Sequence, residues 1–152
     1  MRTAQEKMQI KAIDSHATTY GVDSGDYVLL VDGWKGAYIK KDKLIVNLDR
    51  IKKPTSTGNL NYHKFEKEYI PAIVTKSMMI VGGNRILIKI KATEGNIYCW
   101  VRYDWLKEYG LDKRMFVDPK SNQSPVYISE HSGEPCGIIL PVSVMVDEET
   151  EV

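Results

Sequence analysis

The residues of this chain best equipped for chemistry are few, and their types point to binding rather than reaction. Trp34 follows an Asp32-Gly33 turn and stands beside Lys35, with Tyr38 and Lys40 further along the same segment. An indole and a phenol among lysines can stack on bases and hold the phosphates next to them, which is the chemistry of single-stranded nucleic-acid binding. Cys99 and Cys136 form neither a CxxC pair nor a metal-ligand spacing, so they read as reduced, buried thiols. His16, His63 and His131 are far apart and belong to no metal or base motif, which suits surface positions. There is no GxSxG, HExxH, P-loop or GxGxxG, and Gly82-Gly83-Asn84 fits a hairpin turn better than a phosphate cradle. The carboxylates are scattered and form no acid–base couple. A protein without enzymatic activity, metal or cofactor is expected.

Composition narrows the class further. A length of 152 residues predicts one domain with a full core, and 43% hydrophobic with 27% charged residues is ordinary for a globular chain. Twenty-one Lys and Arg against 20 Asp and Glu exclude a protein that coats nucleic acid by bulk charge, though a local basic stripe remains open. No apolar run approaches the ~20 residues of a membrane span, and the N-terminus has no signal-peptide core, so a soluble, cytoplasmic protein is expected. The acidic residues 146–152 read as a disordered tail after a single domain over residues 1–145.

The elements that must position these residues are mostly strands. Residues 7–14 alternate Met8, Ile10 and Ala12 against polar neighbours, predicting a half-buried strand, and residues 15–25 read as a loop. Residues 26–32 and 36–41 form a hairpin about Asp32-Gly33, and 43–46 is a further extended run. Residues 55–67 read as a long loop. Residues 69–75 resume as a strand, with Pro71 suggesting an edge position. A second hairpin joins 78–81 to 85–92, strand 97–101 follows, and 114–117, 125–129 and 137–144 complete the set.

The chain also repeats itself. Val46-Asn47-Leu48-Asp49-Arg50-Ile51-Lys52 is echoed by Val101-Arg102-Tyr103-Asp104-Trp105-Leu106-Lys107, each copy following an apolar run. In the first copy Asn47 can cap a short helix, Leu48 and Ile51 share a face, and Pro54 ends it. In the second Asp104 can cap, Trp105, Leu106 and Tyr109 share a face, and Gly110 closes it. The expected architecture is α+β: mostly antiparallel sheets with two short helices packed on one face, and a strand–helix unit duplicated near residues 44–53 and 97–110.

Three segments carry a family resemblance. Tyr27-Val28-Leu29-Leu30-Val31-Asp32-Gly33 resembles a strand and Asp-Gly turn of bacterial and phage DNA sliding clamps of the DNA polymerase III beta subunit type. Ser124-Pro125-Val126-Tyr127-Ile128 and Gly137-Ile138-Ile139-Leu140-Pro141-Val142 resemble the last two strands of such a domain, and the match is best over residues 97–145. The resemblance implies a clamp-like domain that is itself an internal duplication. It implies a processivity factor whose several copies ring duplex DNA and tether a polymerase. The positions matching DNA-facing helices are Arg50, Lys52, Lys53, Arg102 and Lys107, which would neutralise phosphates without reading sequence. Those matching the polymerase cleft are Leu140, Pro141 and Val142, with Val144 and Met145 as neighbours. Two other readings stay open: a monomeric β-rich protein-interaction module, and a small single-stranded nucleic-acid-binding β-barrel using Trp34, Lys35, Tyr38 and Lys40.

Overall fold

The computed structural model describes residues 3–14, 19–51 and 60–144. Their elements run α1 (Ala4–Asp14), β1 (Tyr20–Ser24), β2 (Tyr27–Val31), β3 (Lys35–Lys40), α2 (Tyr62–Glu68), β4 (Ile70–Val81), β5 (Arg85–Ala92), β6 (Tyr98–Arg102), α3 (Tyr103–Tyr109), β7 (Arg114–Val117), β8 (Val126–Ser129) and β9 (Pro135–Ile139). Single 3-10 turns lie at Lys41–Lys43 and Leu48–Arg50. The nine strands form one antiparallel sheet in the order β1-β2-β3-β9-β8-β7-β4-β5-β6, so the α+β class and the antiparallel sheet hold. No helix among the described residues is long and apolar enough to cross a membrane.

The chain beyond β9 turns back along β6. The Val142 N–H donates to the Trp100 carbonyl at 2.8 Å, an antiparallel bridge that joins the two ends of the run β9-β8-β7-β4-β5-β6. All six of these strands send side chains into one core: Ala72, Ile88, Ile90, Cys99, Val101, Met115, Val117, Val126, Ile128 and Ile139. Leu106 and Tyr109 of α3 pack into the same core. Alternation along each strand decides the faces. On β2 and β3, Val28, Leu30, Ala37 and Ile39 meet α1, while Leu29 and Tyr38 point the other way to meet Phe65 of α2. On β8, Val126 and Ile128 face the α3 side and Tyr127 faces α2. Three helices therefore pack on two faces, α1 and α3 on one and α2 on the other, where two helices on one face were expected.

Several sequence expectations change for identifiable reasons. Residues 7–14 are helix, not strand, because Ala4, Met8 and Ala12 recur every fourth residue and are its buried apolar residues, whereas Ile10 stays half-exposed. Thr3 caps this helix, its Oγ1 accepting from the Glu6 N–H at 3.1 Å. Within the expected loop 15–25, Tyr20–Ser24 is strand β1, which pairs with β2 along its whole length. Residues 43–46 lie in no strand: Lys43 ends a 3-10 turn, Val46 is buried and Ile45 is exposed. The expected loop 55–67 contains the start of α2, capped by the Asn61 side chain accepting from the His63 N–H at 3.0 Å.

Pro71 is not on an edge strand. β4 sits between β7 and β5, but β5 pairs only as far as Ala72, so the missing N–H falls where that ladder has ended. The Pro71 carbonyl still accepts from the Thr93 N–H at 3.0 Å. Strand β9 ends at Ile139 rather than continuing to 144, because Pro141 cannot donate to a ladder; contact resumes at Val142.

The two copies of the echo fold differently. The first makes one 3-10 turn, Leu48–Arg50, capped by Asn47. The second makes a two-turn helix that starts directly from β6, with Arg102 at the cap position and Asp104 inside the first turn rather than capping. Among the described residues the first copy is not a strand–helix unit.

Candidate functional site

The β2–β3 turn is built around Asp32. Its carboxylate is 2% exposed; Oδ1 accepts from the N–H groups of Trp34 and Lys35, both at 3.0 Å, and Oδ2 takes the Lys11 ammonium at 2.8 Å. Burial pushes this carboxyl up, but the Lys11 bond and the two backbone N–H groups outweigh burial and hold it below the usual carboxylate range. Gly33 takes φ 97, a conformation an L side chain resists. With the backbone held from inside, Trp34 is left facing outward at 62% exposure.

The turn meets the chain's last described segment. The Trp34 carbonyl accepts from the Leu140 N–H at 2.8 Å, and two residues later Val142 bridges to Trp100. Leu140, Pro141 and Val142 are half-buried and run between Trp34 and β6. Val144 packs with Val142 against Met79, Leu87 and Trp100.

At the end of β6 the Arg102 guanidinium holds both oxygens of Asp104, at 3.0 and 2.7 Å, and lies 4.5 Å from the Trp105 ring centre. Burial acts to raise the Asp104 carboxyl, yet the Arg102 bond prevails and the group sits below its usual range. Lys35 reaches the same indole at 5.8 Å while pairing with Glu108 at 2.9 Å. Trp34 thus adjoins Leu140 through the backbone, while Lys35 and Arg102 both lie over the Trp105 indole on the α3 side. Val142 and Val144 pack on the opposite face of β6, with Trp100 rather than with Val101. These are apolar and cation-covered aromatic groups, suited to contact.

The sequence-predicted residues are distributed as follows. Arg102, expected on a DNA face, is paired with Asp104 over Trp105, and Leu140, Pro141 and Val142, expected in a partner cleft, run from Trp34 to Trp100. Lys107 is on α3 over the Tyr103 ring at 4.9 Å. Arg50 is exposed beside Ala12 and Ile13 at the far end of α1, whereas Lys7 near the start of α1 pairs with Glu108 of α3. Arg50 and Lys107 therefore stand at opposite ends of a helix about 16 Å long, and the helix's own Lys7 and Lys11 are ion-paired between them. Lys52, Lys53 and Met145 lie outside the described residues, as do His16 and the tail 146–152.

Tyr38 is buried, its hydroxyl donating to the Leu60 carbonyl at 2.7 Å, so it is removed from any stacking platform, a correction to the barrel reading. Lys40 extends away towards Glu134 at 3.8 Å. Trp100 is a core residue, and Trp105 is half-buried and packs against the core that holds Leu106. Cys99 and Cys136 are buried free thiols, each pushed up to about 12 chiefly by burial. His63 and His131 are exposed. Among the described residues no group of three or more His, Cys, Asp or Glu is placed to hold a metal ion.

Sequence reasoning missed Asp32 as the organiser of the turn. An Asp two and three residues ahead of N–H groups it can accept from is an Asx-turn signal, and that signal was present. The neighbourhood of Trp34 and Leu140 had no local signal, since 106 positions separate 34 from 140. No protein-family model, curated protein or solved structure matches the chain.

Proposed function

We propose that this chain is a non-enzymatic accessory protein that works by holding partners, as the sliding-clamp resemblance implies. The surface of Trp34, Leu140, Pro141 and Val142 seats an apolar segment of a polymerase or another replication protein. Arg50 and Lys107, with Lys52 and Lys53, touch phosphates of duplex DNA, and several copies of the chain assemble around it. The observation that carries the docking half of this reading is Trp34: a large indole, exposed on a turn that Asp32 holds rigid. A rigid, solvent-facing Trp beside half-buried aliphatic groups is the composition of an interaction hot spot, since little conformational entropy is lost when it is covered.

The DNA half is tested by titrating duplex DNA at several salt concentrations while following oligomeric state by light scattering. The clamp reading expects affinity to fall steeply with salt and an oligomer to form. A flat salt dependence together with a monomer at all concentrations removes it. The docking half is tested separately with Trp34→Ala, which is expected to leave the melting temperature within about 2 °C, as for a surface change, and to abolish association with the polymerase of the same genome.

A second reading, the monomeric interaction module, is favoured by one observation. Lys7, Lys11, Lys35 and Arg102 all pair with carboxylates, which leaves this face of the molecule with little net charge for phosphate. It shares the Trp34 surface and predicts no duplex affinity even at low salt.

A further inference from the structure

At the other end of β2 from Trp34 lies a cleft of about 600 Å³. Its walls come from three places. The β1–β2 turn supplies Asp26 and the start of β2 supplies Tyr27; α2 supplies Tyr62 and Glu66, one turn apart; the β8–β9 turn supplies Ser132 and Glu134. Arg114 and Phe116 of β7 close the remaining side. The frame is well anchored. The Tyr62 N–H donates to Ser24 Oγ at 3.3 Å, tying α2 to the end of β1. The β8–β9 turn is closed by the Glu130 N–H on the Glu134 carbonyl at 2.8 Å. Tyr27 and Tyr62 meet edge to face, ring centres 5.5 Å apart.

The charges in this cleft are unequal. Glu134 is approached by Lys40 at 3.8 Å, and the Arg114 guanidinium is held over the Phe116 ring at 4.9 Å. Asp26 and Glu66 have no ion pair among the described residues. The floor beneath Glu66 carries a second anomaly. Tyr127 is fully buried, stacked on Phe65 at 5.2 Å, and its hydroxyl has no hydrogen-bond partner among the described residues. A buried hydroxyl left unpaired costs about 1–3 kcal/mol. The Tyr127 ring also lies 5.7 Å from the ring of Phe116, a wall of the cleft, and burial and the Glu66 carboxylate together raise its phenol.

We propose that this cleft binds an organic cation, an alkylammonium or guanidinium group, between the Asp26 and Glu66 carboxylates and against the faces of Tyr27 and Tyr62. Carboxylates supply the charge and aromatic rings the apolar, electron-rich wall that such a cation prefers over water. Tyr127 is a positioning residue. When the cation enters, Glu66 turns inward, accepts the waiting Tyr127 O–H and is held facing the ligand. The resting structure keeps that donor unpaired, and the bound state satisfies it. The cation can come from a Lys or Arg side chain of a protein or from a free polyamine; both present the same chemistry.

The test is a nuclear magnetic resonance titration of the full chain with N-acetyl-arginine amide, N-acetyl-lysine amide and spermidine. Saturable shifts are expected at the amides of 26–27, 62–66 and 132–134, with no change at 32–35. Response to the capped amino acids alone assigns the site to a protein side chain, and response to spermidine alone assigns it to a polyamine. Affinity is expected to fall at least tenfold in Asp26→Asn with Glu66→Gln. Tyr127→Phe is expected to weaken binding about fivefold, the worth of one hydrogen bond, while leaving the melting temperature equal to or above that of the parent. Absence of saturation by all three probes at 10 mM (roughly 2.7 kcal/mol of binding at most) overturns the proposal. So do shifts that persist unchanged in the double variant.

Discussion

Replacing Asp32 by Ala removes the group that holds Trp34 in place, and its cost can be worked from the bonds lost. Two backbone N–H groups each lose an acceptor at 3.0 Å, worth about 1 kcal/mol apiece. The Lys11 pair adds only about 0.2–1 kcal/mol, because the lysine end is nearly half exposed and screened. The total is about 2–3 kcal/mol, or roughly 6–9 °C in melting temperature for a chain of this size. Its pH dependence has a definite sign. The folded-state pKa of Asp32 lies below its ordinary value of 3.8, so the charge-dependent part of this stability is fully present above 3.8 and is lost as pH falls through the lower, folded value. Urea unfolding followed by circular dichroism at pH 7 and pH 3 reads it. The gap between parent and Asp32→Ala is expected to be constant from pH 5 to 8 and to narrow below about pH 4. Asp32→Asn keeps an acceptor for the N–H groups and loses only the charge, so it is expected to cost about 1 kcal/mol. In a 5-fluorotryptophan-labelled sample the Trp34 resonance is expected to narrow in Asp32→Ala as the turn loosens. A gap under 0.5 kcal/mol at pH 7, or one that keeps its full size at pH 3, would refute the account of the turn.

Other consequences are more local. A Cβ at Gly137 would collide with the Gly36 carbonyl and the Tyr109 ring, so Gly137→Ala is expected to cost about 3 kcal/mol or to prevent folding, read by thermal melting. Tyr109→Phe leaves that carbonyl without the buried O–H it now accepts at 2.7 Å; a loss of about 1–2 kcal/mol is expected in urea, and no loss would mean the bond is dispensable. With both thiols pushed up to about 12, neither Cys99 nor Cys136 is expected to react with a disulfide reagent in the folded protein at pH 8, while both react once it is unfolded in guanidinium. Rapid labelling of the native chain would contradict their burial.

The strands whose apolar runs are continuous or strictly alternating were legible in the sequence: β2, β3, the β4–β5 hairpin, β6, β7 and β8 lie where the pattern put them. Residues 69–75 and 78–81, however, read as two strands, are one strand β4 with a register shift between Val74 and Met78. The misreadings have a common physical origin. Met8, Ile10 and Ala12 satisfy a period of two, but Ala4, Met8 and Ala12 satisfy a helical one equally well, and over so short a stretch only the Thr3 cap decides. β1 is polar at Asp23 and Ser24 and owes its existence to pairing with β2, an interaction that no local pattern reports. The 140–144 segment reads as strand by composition, and Pro141 alone converts it into a strap that touches β6 at one bridge.

The echo between residues 46–52 and 101–107 teaches a sharper lesson about how far likeness in sequence carries. Both copies place an Asp and an apolar residue at equivalent positions, and both bury that apolar residue, Ile51 in one case and Leu106 in the other. What differs is the supply of neighbours. The second copy leaves β6 directly, and its Tyr103, Leu106 and Tyr109 find a core already lined by six strands, so two helical turns are stabilised by packing. The first copy follows an extended but unpaired segment and rests Leu48 and Ile51 against Gly21 of β1, where one 3-10 turn satisfies the available surface. The same division separates their charges: Arg102 is held between Asp104 and Trp105 by the helix it begins, whereas Arg50 is exposed at the end of a single turn. The two arginines are not counterparts: in the echo Arg50 matches Trp105 and Arg102 matches Asn47, and the one cation that repeats is Lys52 with Lys107. With a single repeated cation, the echo speaks for folding more than for a contact with DNA, and oligomeric state is the measurement on which the clamp reading depends.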